Sequence, residues 1–345
     1  MDTFENKTVL ITGATGLIGS HLTDTFMAMG NTKVIALSRS TEKLETCFRK
    51  YQTSANFRYI AQDVSMPLSF NDEKIDYIFH AAGSIEGQII RDYPLSVINA
   101  NIEGTKNCCD FLKHQEEKKQ HKGRIVIFSS ETVYGHNLSS ERIVNEEDTE
   151  FTYKLNAANA AYSQSKRMTE VIAGAYCRQY NVDAVIIRPG YVYGYTAFPP
   201  NTAFYEIIKN CLKGENVIFN NNEFSWRDNI YVKDAVEGIK IACLKGKSGE
   251  SYNVSSNGEL NNYSSIDEIA KKIISFTNKN KASFMKHDVE FIQKDGKDIV
   301  HNPGIKMNNA KLKALGWTIT TDLEKGVENT IQLFREQHIK LEQCE

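Results

Sequence analysis

The sequence predicts an α/β chain: a doubly wound parallel sheet with helices on both faces, followed by a smaller second lobe. Three observations predict this. Gly13, Gly16 and Gly19 sit between a short apolar run, Thr8–Ile11, and a stretch of helical periodicity, Leu17–Met29. Through the first half of the chain, short apolar runs alternate with longer helical patterns, as parallel strands and covering helices do. After Arg188-Pro189-Gly190 the pattern changes to aromatic, Pro- and Gly-punctuated segments. The division is expected near 190. Residues 1–190 would form the sheet-bearing unit and 191–345 mainly the second lobe, with the chain free to cross between them.

The expected strands are Thr8–Ile11, Lys33–Leu37, Phe57–Ala61, Tyr77–His80, Arg124–Phe128 and Ala184–Ile187, each a short apolar run. Helical patterns include Leu17–Met29, Leu95–His114 and Ala160–Gln179. Tyr191–Pro200 predicts a loop, and Ala203–Lys213 a helix. Shorter strands and helices follow within Asn216–Phe219, Asp228–Leu244, Ser251–Val254 and Ser265–Phe276, with helix again at Lys311–Leu315 and Leu323–Phe334. In a doubly wound sheet, ligands gather at the carboxyl ends of the strands. Gly13, Ser38, Asp63, Ala81 and Ser129 all follow a predicted strand.

Strand, glycine turn and helix is the context in which G-x-x-G-x-x-G marks a dinucleotide site. Gly13 permits the turn, Gly16 lets a pyrophosphate approach the backbone, and Gly19 lets helix and strand pack closely. The first N–H groups of the helix then face the phosphates. The 345 residues carry a formal net charge of −2, with Lys and Arg spread along the chain. That argues against nucleic acid as the main partner. No run of about eighteen apolar residues is present, so no spanning helix is expected. The start, MDTFENKTVLITG, lacks a basic segment followed by a long apolar stretch, so a cytoplasmic location is expected. Seven scattered cysteines without a C-x-x-C pair predict free thiols, not a zinc site or disulfides.

Tyr162 and Lys166 lie four apart in a helical pattern, so their side chains share one face. An ammonium beside a phenol, with a bound nicotinamide cation, favours the phenolate. Such a tyrosine can take a proton from a sugar hydroxyl or return one. Ser130 follows the strand Arg124–Phe128 and would face the same crevice. There it can orient the oxygen that Tyr162 attacks and stabilise its charge.

With these residues in place the chain resembles the extended short-chain dehydrogenase/reductases, in the branch that modifies nucleotide-sugars. The resemblance rests on Thr12–Gly19 (TGATGLIG), Asp63-Val64, His80–Gly83, Asn99-Ala100-Asn101, Ser129–Gly135 (SSETVYG), Tyr162 with Lys166, Arg188–Gly194 (RPGYVYG) and Trp226–Val236 (WRDNIYVKDAV). It implies a Rossmann-type sheet with a C-terminal substrate-binding lobe. It implies Ser130, Tyr162 and Lys166 as the catalytic set, with Glu131 as an unusual acid beside them. Glu131 would either carry a proton or bond a substrate hydroxyl. On the cofactor side stand Gly13, Thr15, Gly16, Leu17, Ile18 and Gly19, then Ser38 and Arg39. Asp63 and Val64 would contact adenine; Ala81, Ala82, Gly83 and Asn99 would pass beside the dinucleotide. Ser129, Tyr162, Lys166, Tyr191 and Val192 complete that side. The substrate side comprises Ser130, Glu131, Thr132, Asn201, Arg227 and Lys297. Arg227 would grip the diphosphate, for which a guanidinium fork is suited. Many relatives dimerise through two helices, here Leu95–His114 and Ala160–Gln179, so a homodimer is expected.

An NAD site wants an acid after the second strand to bond the ribose 2′-hydroxyl. This chain has Ser38-Arg39 there, with Lys43 one turn on, so NADP is the expected cofactor, with NAD as the alternative. Relatives that remove water across C5 and C6 carry a second acid where this chain has Thr132. The leading expectation is therefore a nucleotide-sugar epimerase working through a 4-keto intermediate. A nucleotide-4-keto-sugar reductase is second. A 4,6-dehydratase, a decarboxylase or a non-catalytic dinucleotide sensor ranks below both.

Overall fold

The computed structural model describes residues 3–68, 70, 74–135, 140–282, 285–294 and 298–342. The first half runs β1 (Thr8–Thr12), α1 (Leu17–Ala28), β2 (Lys33–Ser38), α2 (Thr41–Phe48), β3 (Phe57–Ala61), β4 (Tyr77–His80), α3 (Gly87–Asp92), α4 (Pro94–Lys119), β5 (Arg124–Phe128), β6 (Arg142–Val144), α5 (Ala160–Tyr180) and β7 (Asp183–Pro189). The second half runs β8 (Tyr191–Tyr193), α6 (Ala203–Lys213), β9 (Val217–Phe219), β10 (Glu223–Ser225), β11 (Arg227–Tyr231), α7 (Val232–Lys245), β12 (Ser251–Val254), β13 (Tyr263–Ser264), α8 (Ile266–Lys279), β14 (Phe291–Gln293), β15 (Val300–Asn302), β16 (Ile305–Met307), α9 (Ala310–Lys313) and α10 (Leu323–Glu342).

Seven strands form one sheet in the order β3-β2-β1-β4-β5-β7-β12, and every pairing in it is parallel. The predicted Rossmann-type sheet is what the chain forms. Alternate residues of each strand serve opposite faces. Val9 and Ile11, Val34 and Ala36, and Val126 and Phe128 join one core with Leu22 and Phe26 of α1 and Val236 and Ile239 of α7. Leu10, Ile35, Ile125 and Ile127 join the other with Cys108, Phe111 and Leu112 of α4 and Ala173 of α5. Each of the Val, Leu, Ile and Phe side chains among these, fully buried, stabilises by about 1.5–3 kcal/mol. Both faces are therefore covered, and ligands can reach the sheet at its strand ends.

The register aligns those ends. Thr12 pairs with Leu37 on one side and His80 on the other, His80 with Ile127, and Phe128 with Ile187. The chain leaves β1 outward through β2 and β3, then returns to β4, so the crevice beside β1 is the switch point. After residue 190 the chain crosses back: β12 adds the seventh strand, with Val254 beside Pro189. The rest of the second half carries α6, α8 and three small sheets, β14 with β9, β10 with β15, and β13-β11-β8, while β16 pairs back with β6.

Two predicted segments differ. The expected loop at Tyr191–Pro200 begins with β8, which pairs in parallel with β11 because Tyr193 is buried against Phe204 and Tyr231. Asp228–Leu244 divides at Val232 into the end of β11 and the start of α7. No helix among the described residues is long and apolar enough to cross a membrane. The six described cysteines are free thiols.

Candidate active site

At the end of β1 the backbone turns at Gly13, with φ +66°. A Cβ there would lie 2.7 Å from the Ala81 carbonyl oxygen and from Ala82. Close approach and left-handed backbone both require glycine. A Cβ on Gly19 would lie 2.3 Å from the Gly13 oxygen, so α1 and the turn touch directly. Gly16 is the N-cap of α1 and offers no side-chain cap. The first N–H groups of the helix, at Leu17, Ile18 and Gly19, have no partner within the helix. The Thr15 and Ser38 hydroxyls lie 2.9 Å apart in a hydrogen bond. Arg39 is exposed beside them. Burial works against the Asp63 carboxylate, but the Ser65 N–H and hydroxyl, with Arg39 beyond, hold its pKa below the ordinary value. Val64 is buried next to it. Lys43 lies over the Phe198 ring at 5.0 Å.

The structure turns Asn99 outward: it is exposed on α4. Asn101 is the inward-facing asparagine. It is buried, its amide donates to Ser165 Oγ at 2.8 Å, and its Oδ1 has no partner among the described residues. A Cβ on Gly83 would meet that Oδ1 at 3.0 Å and Lys166 Nζ at 3.5 Å. The signal was present in the sequence. Val97, Asn101, Gly104 and Cys108 form one buried helical stripe, and Asn99 is out of phase with it.

Ser130 stands in extended conformation at the end of β5. Its Oγ accepts from the Thr132 N–H at 3.2 Å, and its hydroxyl stands near enough to the Tyr162 phenol to favour the phenolate. Lys166 is buried, donates to the Phe128 carbonyl at 2.7 Å and lies 5.8 Å from the centre of the Tyr162 ring. Burial pulls its pKa down to about 8, against the Glu170 carboxylate. The expected depression of the phenol includes the charge of a bound nicotinamide; the protein groups alone act the other way. Burial raises the Tyr162 pKa, the Ser130 hydroxyl opposes this, and Glu131 adds to it. The Ser129 hydroxyl does not face the crevice; it is given to Glu170.

Across from Tyr162, burial pushes Glu131 up to about 7, with Arg227 opposing and Asp228 adding. Arg227 is exposed and stacks over the Tyr191 ring at 4.8 Å. That contact follows from the pairing of β8 with β11, which also sets Val192 beside Ile230. The Thr132 hydroxyl is buried without a partner among the described residues. Tyr153 belongs to the same group: its phenol is raised by burial and by Glu131, and lowered by its bond to Asn159 and by Arg227. Sequence reasoning missed it, because the segment before α5 has no periodicity to mark which side chains face inward. Asn201 is exposed ahead of α6, its N–H 3.5 Å from Glu86 Oε2. Lys297 lies outside the described residues.

The arrangement sets a phenol, a hydroxyl, an ammonium and a half-buried acid around the mouth of a glycine turn. Residues 9–255 match the model of the NAD dependent epimerase/dehydratase family. Human dTDP-D-glucose 4,6-dehydratase is 27% identical over 96% of this chain and 90% of its own length. An epimerase from Methanothermobacter thermautotrophicus superposes with a TM-score of 0.77 at 19% identity, covering 99% of this chain and 95% of its own. UDP-glucose 4-epimerase from Thermotoga maritima, solved with UDP-glucose, gives 0.72 at 22% identity, covering 96% and 99%. WbmF from Bordetella bronchiseptica, solved with NADH, gives 0.74 at 22%, covering 99% and 95%. The glycine turn, the Ser130-bearing strand end and the Tyr162 helix all fall within the matched stretch, and the chain belongs to the NAD dependent epimerase/dehydratase family.

Proposed function

We propose that the protein is a nucleotide-sugar epimerase that works through a 4-keto intermediate, with NADP as its dinucleotide. The observation that carries this reading is the meeting of Ser130, Tyr162 and Lys166 at the switch point beside the Gly13 turn. The residues fit a dinucleotide. The start of α1 offers unpaired N–H groups to a pyrophosphate. The orphaned Asn101 Oδ1, close to Lys166 across Gly83, awaits a donor. When bound, the dinucleotide supplies a hydride acceptor and donor at C4 of the sugar.

The chain's own residues supply the rest. Tyr162 takes the proton of the 4-hydroxyl, and Ser130 holds that oxygen in line. The ammonium of Lys166 favours the phenolate, and so does the positive charge of an oxidised nicotinamide. Inversion then follows either by turning of the keto sugar or by removal of a proton next to the carbonyl; Glu131 serves as the proton carrier in the second route and as a hydroxyl-binding group in the first. Arg227 suits the diphosphate. Thr132 carries no acid to take a C5 proton, which sets this site apart from a 4,6-dehydratase. Ser38 and Arg39 place a hydroxyl and a cation where an NAD site would carry a carboxylate. The same pair supports a second reading, an NADPH-dependent 4-keto-sugar reductase using Tyr162 as the acid. Leu95 and Val171, 71% and 59% exposed on α4 and α5, suit a homodimer face.

A panel of nucleotide-sugars, with products read by mass and NMR, tests the function. Unchanged mass with inverted configuration supports the epimerase. A gained pair of hydrogens with NADPH consumed supports the reductase, and loss of water would overturn both.

A further inference from the structure

Glu170 lies one turn beyond Lys166 on α5. Its carboxylate accepts from the Ser129 hydroxyl. Arg188, at the end of β7, grips both its oxygens, with Nε at 2.8 Å and Nη2 at 2.7 Å. The remaining amino group of Arg188 donates to the Tyr134 hydroxyl at 3.0 Å and the Glu146 carbonyl at 2.5 Å. Arg188 is 4% exposed, so its fork has little freedom to move.

These bonds form a pattern. Three consecutive residues at the end of β5 meet three successive turns of α5, two of them through hydrogen bonds. The Phe128 carbonyl holds Lys166 and the Ser129 hydroxyl holds Glu170, while the Ser130 hydroxyl stands beside the Tyr162 phenol. A buried ion pair contributes little net stability over apolar packing of the same shape, so stability alone does not explain this one. Its bidentate geometry does fix position. We propose that Glu170 is a positioning residue, clamped by Arg188 and Ser129, which sets the register of α5 against the end of β5 so that Lys166 and Tyr162 face Ser130. The catalytic meaning of that register rests on the function proposed above; the clamp itself does not.

The clamp also has an electrostatic side. The groups facing Lys166 are Tyr162 and Glu170 from α5, the Phe128 carbonyl from β5, His80 from β4, and Asn101 from α4 across Gly83. Burial holds His80 neutral, down at about 3. Glu170 is the carboxylate among these groups, and it favours the ammonium of Lys166.

The test is labelling of Lys166 by acetic anhydride across pH in the full chain, read by peptide mass spectrometry with Lys106 as internal reference. In Glu170→Gln, the labelling midpoint of Lys166 is expected to fall by about half a pH unit. Its limiting rate at high pH should rise about fivefold as the amine loosens from Phe128. Lys106 should not change. Glu170→Gln alone leaves Arg188 charged and buried, so the double variant Glu170→Gln, Arg188→Met carries the same test in a neutral site, with both shifts in the same direction. A folded variant of either kind with wild-type midpoint and rate at Lys166 would overturn the clamp. Labelling needs neither dinucleotide nor sugar, so an inactive Tyr162 assignment would sink the function and leave this result standing.

Discussion

Glu131 offers the sharpest test of the site, because its environment makes a prediction about stability as well as turnover. Burial pushes its pKa from 4.5 to about 7. The folded chain therefore binds this proton more tightly than the unfolded chain. Below the unfolded value both forms are protonated and there is no penalty. As pH rises from there through about 7, the unfolded chain ionises first and the folded state loses ground. A shift of about 2.5 units at about 1.4 kcal/mol each is roughly 3 kcal/mol, fully lost by about pH 8. Glu131→Gln keeps the shape and removes the charge. The variant should be more stable than the parent by roughly 3 kcal/mol at about pH 8, and by under about 1 kcal/mol at about pH 5. At about 2.1 cal/mol/K per residue, a chain of 345 residues moves its Tm by about 1.4 °C per kcal/mol. The expected gain is thus about 4–5 °C at the higher pH and about 1 °C at the lower, by differential scanning calorimetry. Equal gains at the two pH values, or none, would show that Glu131 is an ordinary acid open to water. Kinetics on the same variant separate its two roles. Loss of kcat marks a proton carrier, and a raised KM with kcat intact marks a hydroxyl-binding group.

Four further outcomes are expected. Tyr162→Phe should lower turnover by about 10²–10⁴-fold while dinucleotide affinity, measured by fluorescence titration, stays the same; unchanged turnover would defeat the assigned role. Ser38→Asp puts a carboxylate at the end of β2 and should shift the NADP-to-NAD affinity ratio toward NAD by at least about tenfold; an unmoved ratio would mean that the 2′-position is not read there. Gly19→Ala places a Cβ 2.3 Å from the Gly13 oxygen, and should cost about 1–3 kcal/mol and abolish dinucleotide binding in the same titration. Val171→Lys on the exposed face of α5 should halve the solution mass seen by light scattering; a parent chain already monomeric removes the dimer.

What the sequence made legible follows physical lines. The sheet strands were readable to within two residues at each end because each is a short, mostly apolar run between polar breaks, and the central ones are buried on both faces. Tyr77–His80 and Arg124–Phe128 match their predicted bounds. The short ladders of the second half were not readable. Two- or three-residue strands such as β13 and β16 are too brief to show a period, and their partners lie far along the chain. At the site, residues carried by one element and one spacing were legible: the glycine turn, and Tyr162 with Lys166 on a single helix face. Helical phase decided the asparagine, and counting from Val97 and Cys108 selects Asn101 over Asn99. Ser129 needed more than phase. Its hydroxyl turns away from the crevice because Glu170, forty-one residues on, and Arg188, at the end of a third element, supply a buried charge pair for it to complete. That arrangement depends on how two strand ends and one helix meet, and no local window contains it. The same holds for Glu131: its composition says acid, but burial, with Asp228 adding and Arg227 opposing, makes it an acid poised near neutrality. Sequence thus identifies which groups can do chemistry, while the protonation state in which they do it is a property of the packed site.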